Sequence, residues 1–197
     1  MKLRAHPRYA VYKDWFRTQA GLASRLEAEL FRVAGPRRTT AEEILQGVGA
    51  FKGGGRWNPP GVMNAVYLSF EPETAGFEAN ENSRYFRIPL SLGMPKVTVA
   101  VRVTLDAVLD LSQIPTFPEQ VADLMAEDWR AVMAKKQEAT SQAVGRAAFA
   151  AGLQGLILPS KPDPKGKNVL IFPENLTGSC VLELLNPGLL ARLGRIA

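Results

Sequence analysis

Histidine and cysteine are almost missing from this chain, with one of each, His6 and Cys180, in 197 residues. A single cysteine rules out an internal disulfide framework and suits a reducing compartment. One histidine and one cysteine cannot build a zinc site of the usual kinds, so no metal is expected. Ser-His-Asp or Cys-His machinery would have to depend on His6, close to the N-terminus. No apolar run approaches the ~20 residues of a membrane-spanning helix. The opening MKLRAHPRYAVYKDWF lacks the apolar stretch of a signal peptide. A cytoplasmic protein with no membrane partner is expected. Any chemistry must come from Arg, Glu, Asp, Ser, Thr and Tyr side chains and from the atoms of a bound ligand.

Phosphate-binding fingerprints are absent as well. Gly47 and Gly49 begin a Gly-x-Gly pattern, but Lys52 stands where the third glycine is required, and a short helix, not a strand, precedes it. The PKGKN run at 164–168 lacks the upstream glycine and the Ser/Thr of a Walker loop.

What is present describes one globular unit. Hydrophobic residues make up 46% and charged residues 22%, near the globular average, and the length suits one sizeable core. The net charge of +5 suits nucleic acid, a phosphate-bearing ligand or an acidic protein. Apart from Arg37–Arg38 and Lys135–Lys136, the basic residues are scattered. A dedicated nucleic-acid binder concentrates them on a stripe or among aromatics.

Periodicity predicts a helix from about Lys13 to Glu29, then a strand in ELFRVAG ending at Gly35-Pro36. Thr40 with Glu43 forms a capping-box pattern, and Gly47 is a stop for the short helix between them. AVYLSF from Ala65 reads as a strand and Pro72 to about Tyr85 as a helix. KVTVAVRV alternates, with Val97, Val99, Val101 and Val103 on one face. Two helices follow, in FPEQVADLMAEDWRAVMAKK and SQAVGRAAFAAG, then three strands in GLILPS, NVLIF and CVLELL, and a last helix in GLLARLGRI. Without regular βαβ alternation, this order predicts an α+β single domain with mostly antiparallel sheets and flanking helices.

Several motifs, in order, resemble the RES-domain family: LFRVAG (Leu30–Gly35), GGRWNPPG (Gly54–Gly61), AVYLS (Ala65–Ser69), Glu78, SQAVG (Ser141–Gly145), LILPS (Leu156–Ser160) and NVLIFP (Asn168–Pro173). The family takes its name from an arginine, a glutamate and a serine and includes toxins of RES–Xre toxin–antitoxin pairs. The resemblance implies a fold similar to ADP-ribosyltransferase toxins, with Met1–Glu29 as an N-terminal helical segment and residues 30–197 as the NAD-binding catalytic domain. It implies a toxin that degrades NAD+ at the nicotinamide–ribose bond, by hydrolysis or phosphorolysis, neutralised by an Xre-type antitoxin. Contact with nucleic acid would then be indirect, through that antitoxin. By position, the catalytic residues fall on Glu78, Arg32 and Ser160. Arg56, Arg32, Tyr67, Ser160 and Trp57 are the expected NAD+-binding residues, with NAD+ a substrate and no metal required. The chain departs from the family pattern at Gly53, where many relatives carry an aromatic residue, and at Phe172-Pro173.

The chemistry suits these residue types. Breaking the nicotinamide–ribose bond builds positive charge on the ribose, as in glycoside hydrolysis, and nicotinamide leaves neutral. A carboxylate stabilises that charge, and arginines grip pyrophosphate through paired hydrogen bonds. Taken singly, each residue has a plainer reading. Arg32 fits a sheet-face residue, Glu78 a solvated helix face beside Glu71, Glu73 and Glu81, Ser160 a turn, Trp57 a core anchor and Tyr67 a strand core residue. Protein ADP-ribosylation and a non-catalytic basic interaction module remain the alternative functions.

Overall fold

The computed structural model describes residues 2–35 and 40–196; the basic pair Arg37–Arg38 lies outside them. The longest pairing joins β1 (Ser24–Ala34) to β3 (Val97–Asp110), antiparallel, from Ser24 opposite Val108 to Ala34 opposite Val97. The expected alternation holds: Val99, Val101, Val103 and Leu105 are buried while Thr98 and Arg102 are exposed. Four shorter strands complete the sheet: β2 (Val66–Ser69), β4 (Gly155–Pro159), β5 (Lys167–Ile171) and β6 (Val181–Leu184). Their order is β1-β2-β5-β4-β3-β6. Because β1 also pairs with β3, the first five close on themselves and the sheet curls toward a barrel. Of the pairings described, only β3–β4 is parallel. This is the α+β, mostly antiparallel architecture the order of elements predicts.

Eight helices flank the sheet among the described residues: α1 (Tyr9–Thr18), α2 (Ala41–Leu45), α3 (Val48–Gly53), α4 (Pro72–Tyr85), α5 (Val121–Ala126), α6 (Trp129–Ala134), α7 (Thr140–Ala150) and α8 (Pro187–Ile196). None is long and apolar enough to cross a membrane. One apolar core joins α1 and α7 to the sheet through Tyr12, Phe16, Trp57, Val144, Leu156 and Phe172. A second lies against the other side, with Leu30, Val101, Leu105 and Val169 meeting Leu190 and Leu193 of α8.

Three sequence readings are corrected. The helix expected over 13–29 stops at Thr18, and β1 begins at Ser24. From Arg25 to Leu30 a two-residue alternation underlies the helical spacing, with Leu26, Ala28 and Leu30 inward and Arg25, Glu27 and Glu29 outward. Long pairing with β3 selects it, as tertiary context overrides weak helix preference. The single helix expected over 117–136 is broken into α5 and α6 at Glu127-Asp128, where Asp128 caps α6 by accepting from Ala131 N at 3.0 Å. The stretch after Gly47, where the sequence puts a stop and no further element before Ala65, contains α3, entered through Gly47 in the left-handed region at φ 70°. The capping box of α2 is present, with Thr40 and Glu43 bonded reciprocally at 3.1 and 3.2 Å.

Candidate active site

Helix α4 begins with Pro72 in its first turn, and Thr74 and Glu78, four residues apart, share one face. Both side chains reach the segment that follows β4. The fully buried Thr74 donates through Oγ1 to Asp163 Oδ2 at 2.6 Å, and that hydroxyl holds the Asp163 carboxyl below the usual range. Glu78 Oε1 accepts from Ser160 Oγ at 2.6 Å and from Asn168 Nδ2 at 2.7 Å. Asn168 in turn accepts through Oδ1 from Ser69 Oγ at 2.7 Å. One carboxylate oxygen is thus fixed from two strand ends by short hydrogen bonds of the charge-assisted kind. The other, Oε2, accepts no hydrogen bond from the described residues.

Above this floor opens a cleft of about 780 Å³, within the several-hundred-Å³ range of small-molecule sites. Arg32, Tyr67, Glu78, Tyr85, Arg130 and Asn168 contribute polar groups, and Gly53, Gly54 and Gly55 line one side. Arg32, on β1, donates through Nη1 to the Ile44 carbonyl at 2.7 Å.

Next to the cleft is a smaller chamber of about 130 Å³. It shares Tyr67, Glu78, Asn82, Trp129, Arg130 and Asn168 with the cleft and adds Arg56 and Lys161. Arg56 therefore faces the chamber, not the main cleft. Its Nη1 donates to the carbonyls of Leu124 and Glu127, each at 3.0 Å. Those two carbonyls sit where α5 gives way to α6, so the helix break and the arginine depend on each other. Burial, and after it the charge of Arg130, push the Arg56 guanidinium below its ordinary value.

The glycine-rich loop is fastened from several sides. Trp57 is 3% exposed and part of the core, as its anchoring role requires. Asn58, fully buried, donates to Ala50 O at 2.9 Å and accepts from the Tyr67 hydroxyl at 2.8 Å, and that hydroxyl accepts from Trp57 N at 3.2 Å. Burial pushes the Tyr67 phenol up, which keeps it a neutral donor. Gln142 of α7 donates to Gly55 O at 3.0 Å. The Trp57 carbonyl lies so close to α7 that a Cβ at position 145 would sit 1.8 Å from it, which explains the glycine in SQAVG.

The RES domain family model matches residues 29–183. This chain belongs to the RES-domain family. Over 157 residues it is 30% identical to the NAD(+) phosphorylase MbcT of Mycobacterium bovis and to that of Mycobacterium tuberculosis, covering 71% of this chain and 75% of theirs. Among solved structures, the M. tuberculosis MbcT–MbcA toxin–antitoxin complex matches with a TM-score of 0.65 at 24% identity, covering 96% of this chain and 98% of the matched one. That likeness supports the mixed α+β fold.

Of the RES residues read from the sequence, Arg32, Tyr67 and Glu78 line the cleft, and Ser160 is hydrogen-bonded to Glu78 beneath it. Arg56 and Trp57 line the chamber. The sequence reading assigned no role to Arg130, whose guanidinium lies 4.4 Å from the Trp129 ring centre and 4.7 Å from that of Tyr85 and donates to Asn82 Oδ1. Asn168 lay inside a quoted motif, but its side chain carried no role. Thr74 went unnoticed although its four-residue spacing from Glu78 was visible. Of the two departures, Gly53 lines the cleft, whereas Phe172 is fully buried and packs edge-on against Phe149.

Proposed function

We infer that this protein is a toxin-like enzyme that cleaves NAD+ at the nicotinamide–ribose bond. The observation that carries this reading is Glu78, held by Ser160 and Asn168 through Oε1 at the floor of a cleft large enough for a dinucleotide. Membership of the RES family and 30% identity to an NAD(+) phosphorylase support it.

In this reading the ribose of NAD+ lies over Glu78. Oε2 accepts a ribose hydroxyl, and the carboxylate stabilises the positive charge that develops as the bond to nicotinamide breaks. Ser160 and Asn168 keep the carboxylate from rotating away, so its charge is oriented before substrate arrives. Arg32 and Arg56 are the phosphate-binding arginines, one in each chamber. Tyr67 lies on the wall the two share, and Trp57 lines the smaller one. Nicotinamide departs as a neutral base and needs no strong acid. The reaction is carried by the sheet and the helices around the cleft, with β1 from Ser24 part of that unit and α1 packed against it, and the fold is of the ADP-ribosyltransferase kind.

Uncontrolled loss of NAD+ would be lethal in the cytoplasm. An antitoxin, of Xre type, is therefore the expected partner, closing the cleft. The test is to incubate purified protein with NAD+, with and without phosphate, and to resolve nicotinamide from the ADP-ribose products. Release of nicotinamide supports the reading, and none from folded, antitoxin-free protein defeats it. Label appearing on protein instead of free ADP-ribose would move the function to ADP-ribosyl transfer.

A further inference from the structure

Between α5 and α6 a single residue, Glu127, touches three parts of the molecule. Its backbone carbonyl accepts from Arg56 Nη1 and from Trp129 N, each at 3.0 Å. Its carboxylate turns toward α7. Oε1 accepts from Thr140 N at 3.1 Å and from Thr140 Oγ1 at 2.9 Å. Oε2 accepts from Ser141 N at 3.3 Å and from Ser141 Oγ at 3.4 Å. Both amides belong to the first turn of α7, where a helix leaves its N–H groups without intrahelical partners. Ala139, which precedes that turn, carries no side-chain oxygen to cap them. Glu127 therefore caps α7 from another segment, and its negative charge sits at the positive end of an eleven-residue helix.

The same turn of α7 holds the glycine-rich loop. Gln142, fully buried, donates to Gly55 O at 3.0 Å. The loop is thus fixed at residue 55 by α7, and the side chain of residue 56 is fixed by Glu127. The Glu127 carboxylate joins these two restraints into one. Trp129 and Arg130, which line both chambers, follow Glu127 almost at once in the chain. An arginine side chain loses much rotamer freedom when it binds a ligand, and ordering it beforehand removes that cost from binding.

We propose that Glu127 is a positioning residue for the reaction, setting Arg56 toward the phosphates of NAD+ without touching the substrate. Glu127 itself lines neither chamber. The proposal rests on the NAD+ reading above and adds the residue that holds one of its two arginines. The carboxylate locks the α5–α6 junction onto α7, and the carbonyl of the same residue is thereby aimed at Arg56 Nη1. Replacing the side chain leaves that carbonyl in place but removes what fixes its direction.

Glu127→Ala removes all four contacts to α7, whereas Glu127→Gln keeps the volume and one acceptor oxygen. The KM for NAD+ is expected to rise about tenfold in Glu127→Ala and less in Glu127→Gln, with kcat within about twofold of the parent. A merely structural role would lower the folded fraction, and with it the apparent kcat, at an unchanged KM. In an Arg56→Ala background, Glu127→Ala should shift the KM by no more than about twofold, because residues that act as a unit are not additive. Effects on KM that multiply, or a loss confined to kcat, overturn the proposal. A second readout needs no NAD+. Dicarbonyl labelling of arginines, read by peptide mass spectrometry, should modify Arg56 about fivefold faster in Glu127→Ala, with the exposed Arg102 unchanged. If Glu127→Ala does not fold, Glu127→Gln carries the same comparison. Equal labelling of Arg56 in a folded variant and the parent overturns the proposal even where nicotinamide is released. If the wild-type protein releases no nicotinamide, the NAD+ reading fails by itself, and the labelling still decides whether Glu127 holds Arg56.

Discussion

At the floor of the cleft, Glu78, Ser160, Asn168 and Ser69 are joined by hydrogen bonds of 2.6–2.7 Å. The chain from Tyr85 to Met94, which borders the cleft at its lip through Tyr85 and Phe86 and then leads away, behaves differently. Phe86, Ile88, Leu90, Leu92 and Met94 are 45–75% exposed. The floor is drawn from α4, β2, β5 and the end of β4, elements tied to the sheet. The lip is drawn from the end of α4 and the turns after it. Positioned groups belong on rigid elements, because a shift of about 1 Å in a reacting geometry costs orders of magnitude in rate. Changes at the floor should therefore cost turnover, and changes at the lip should cost little.

The sharpest way to break this contrast is Glu78→Gln. The amide keeps the volume and an acceptor for Ser160 and Asn168 but removes the charge. NAD+ turnover, read as nicotinamide release, is expected to fall at least ~100-fold, the scale of a positioned electrostatic group. Activity near that of the parent protein would remove Glu78 from the mechanism and leave the floor a structural cluster. A smaller effect is expected from Arg32→Ala on the cleft wall. The KM for NAD+ should rise about tenfold with a lesser change in kcat, as for loss of a charged hydrogen bond made in ground and transition states alike. An unchanged KM would mean that Arg32 has a structural role and does not bind the substrate.

Between floor and lip lies the glycine-rich loop, whose contribution is to stability. Gly145→Ala forces a methyl into the Trp57 carbonyl, and because the obstacle is backbone, the helix or the loop must move. Overpacking of this kind costs about 1–3 kcal/mol. Denaturant or thermal unfolding should register the loss, and a Tm equal to that of the parent would show that α7 and the loop are not in contact as described.

How far the sequence spoke for these regions follows from the range of each interaction. Elements set by local pattern were readable: the alternation of β3, the capping box at Thr40 and Glu43, and Pro72 opening α4. So was the ordered set of motifs that marks the family. Long-range pairing was not. The segment from Arg25 to Leu30 carries both a helical spacing and a two-residue alternation, and only β3, some seventy residues away, decides between them. At the site, the motifs pointed to Glu78 and Ser160, but nothing local said that they touch, or that Asn168 joins them. Arg56 was expected among the NAD+-binding residues, with nothing to say what holds it. Its placement depends on carbonyls at 124 and 127 that are exposed only because a helix breaks there, which the periodicity of 117–136 did not reveal. Arg130 stayed hidden for the same reason.

The smallest effect is expected at the lip, and it tests the contrast from the other side. Leu92 is 75% exposed and Ile88 45%. Replacing both with serine removes apolar surface that faces water, where substitutions change stability by about 0.5 kcal/mol or less each. NAD+ turnover is expected to stay within about twofold of the parent, because neither residue lines the cleft. A loss approaching that of Glu78→Gln would mean that the 88–94 segment folds over the bound dinucleotide during the reaction. Floor and lip would then be parts of one catalytic surface, and rigidity would no longer separate the residues that do chemistry from those that border it.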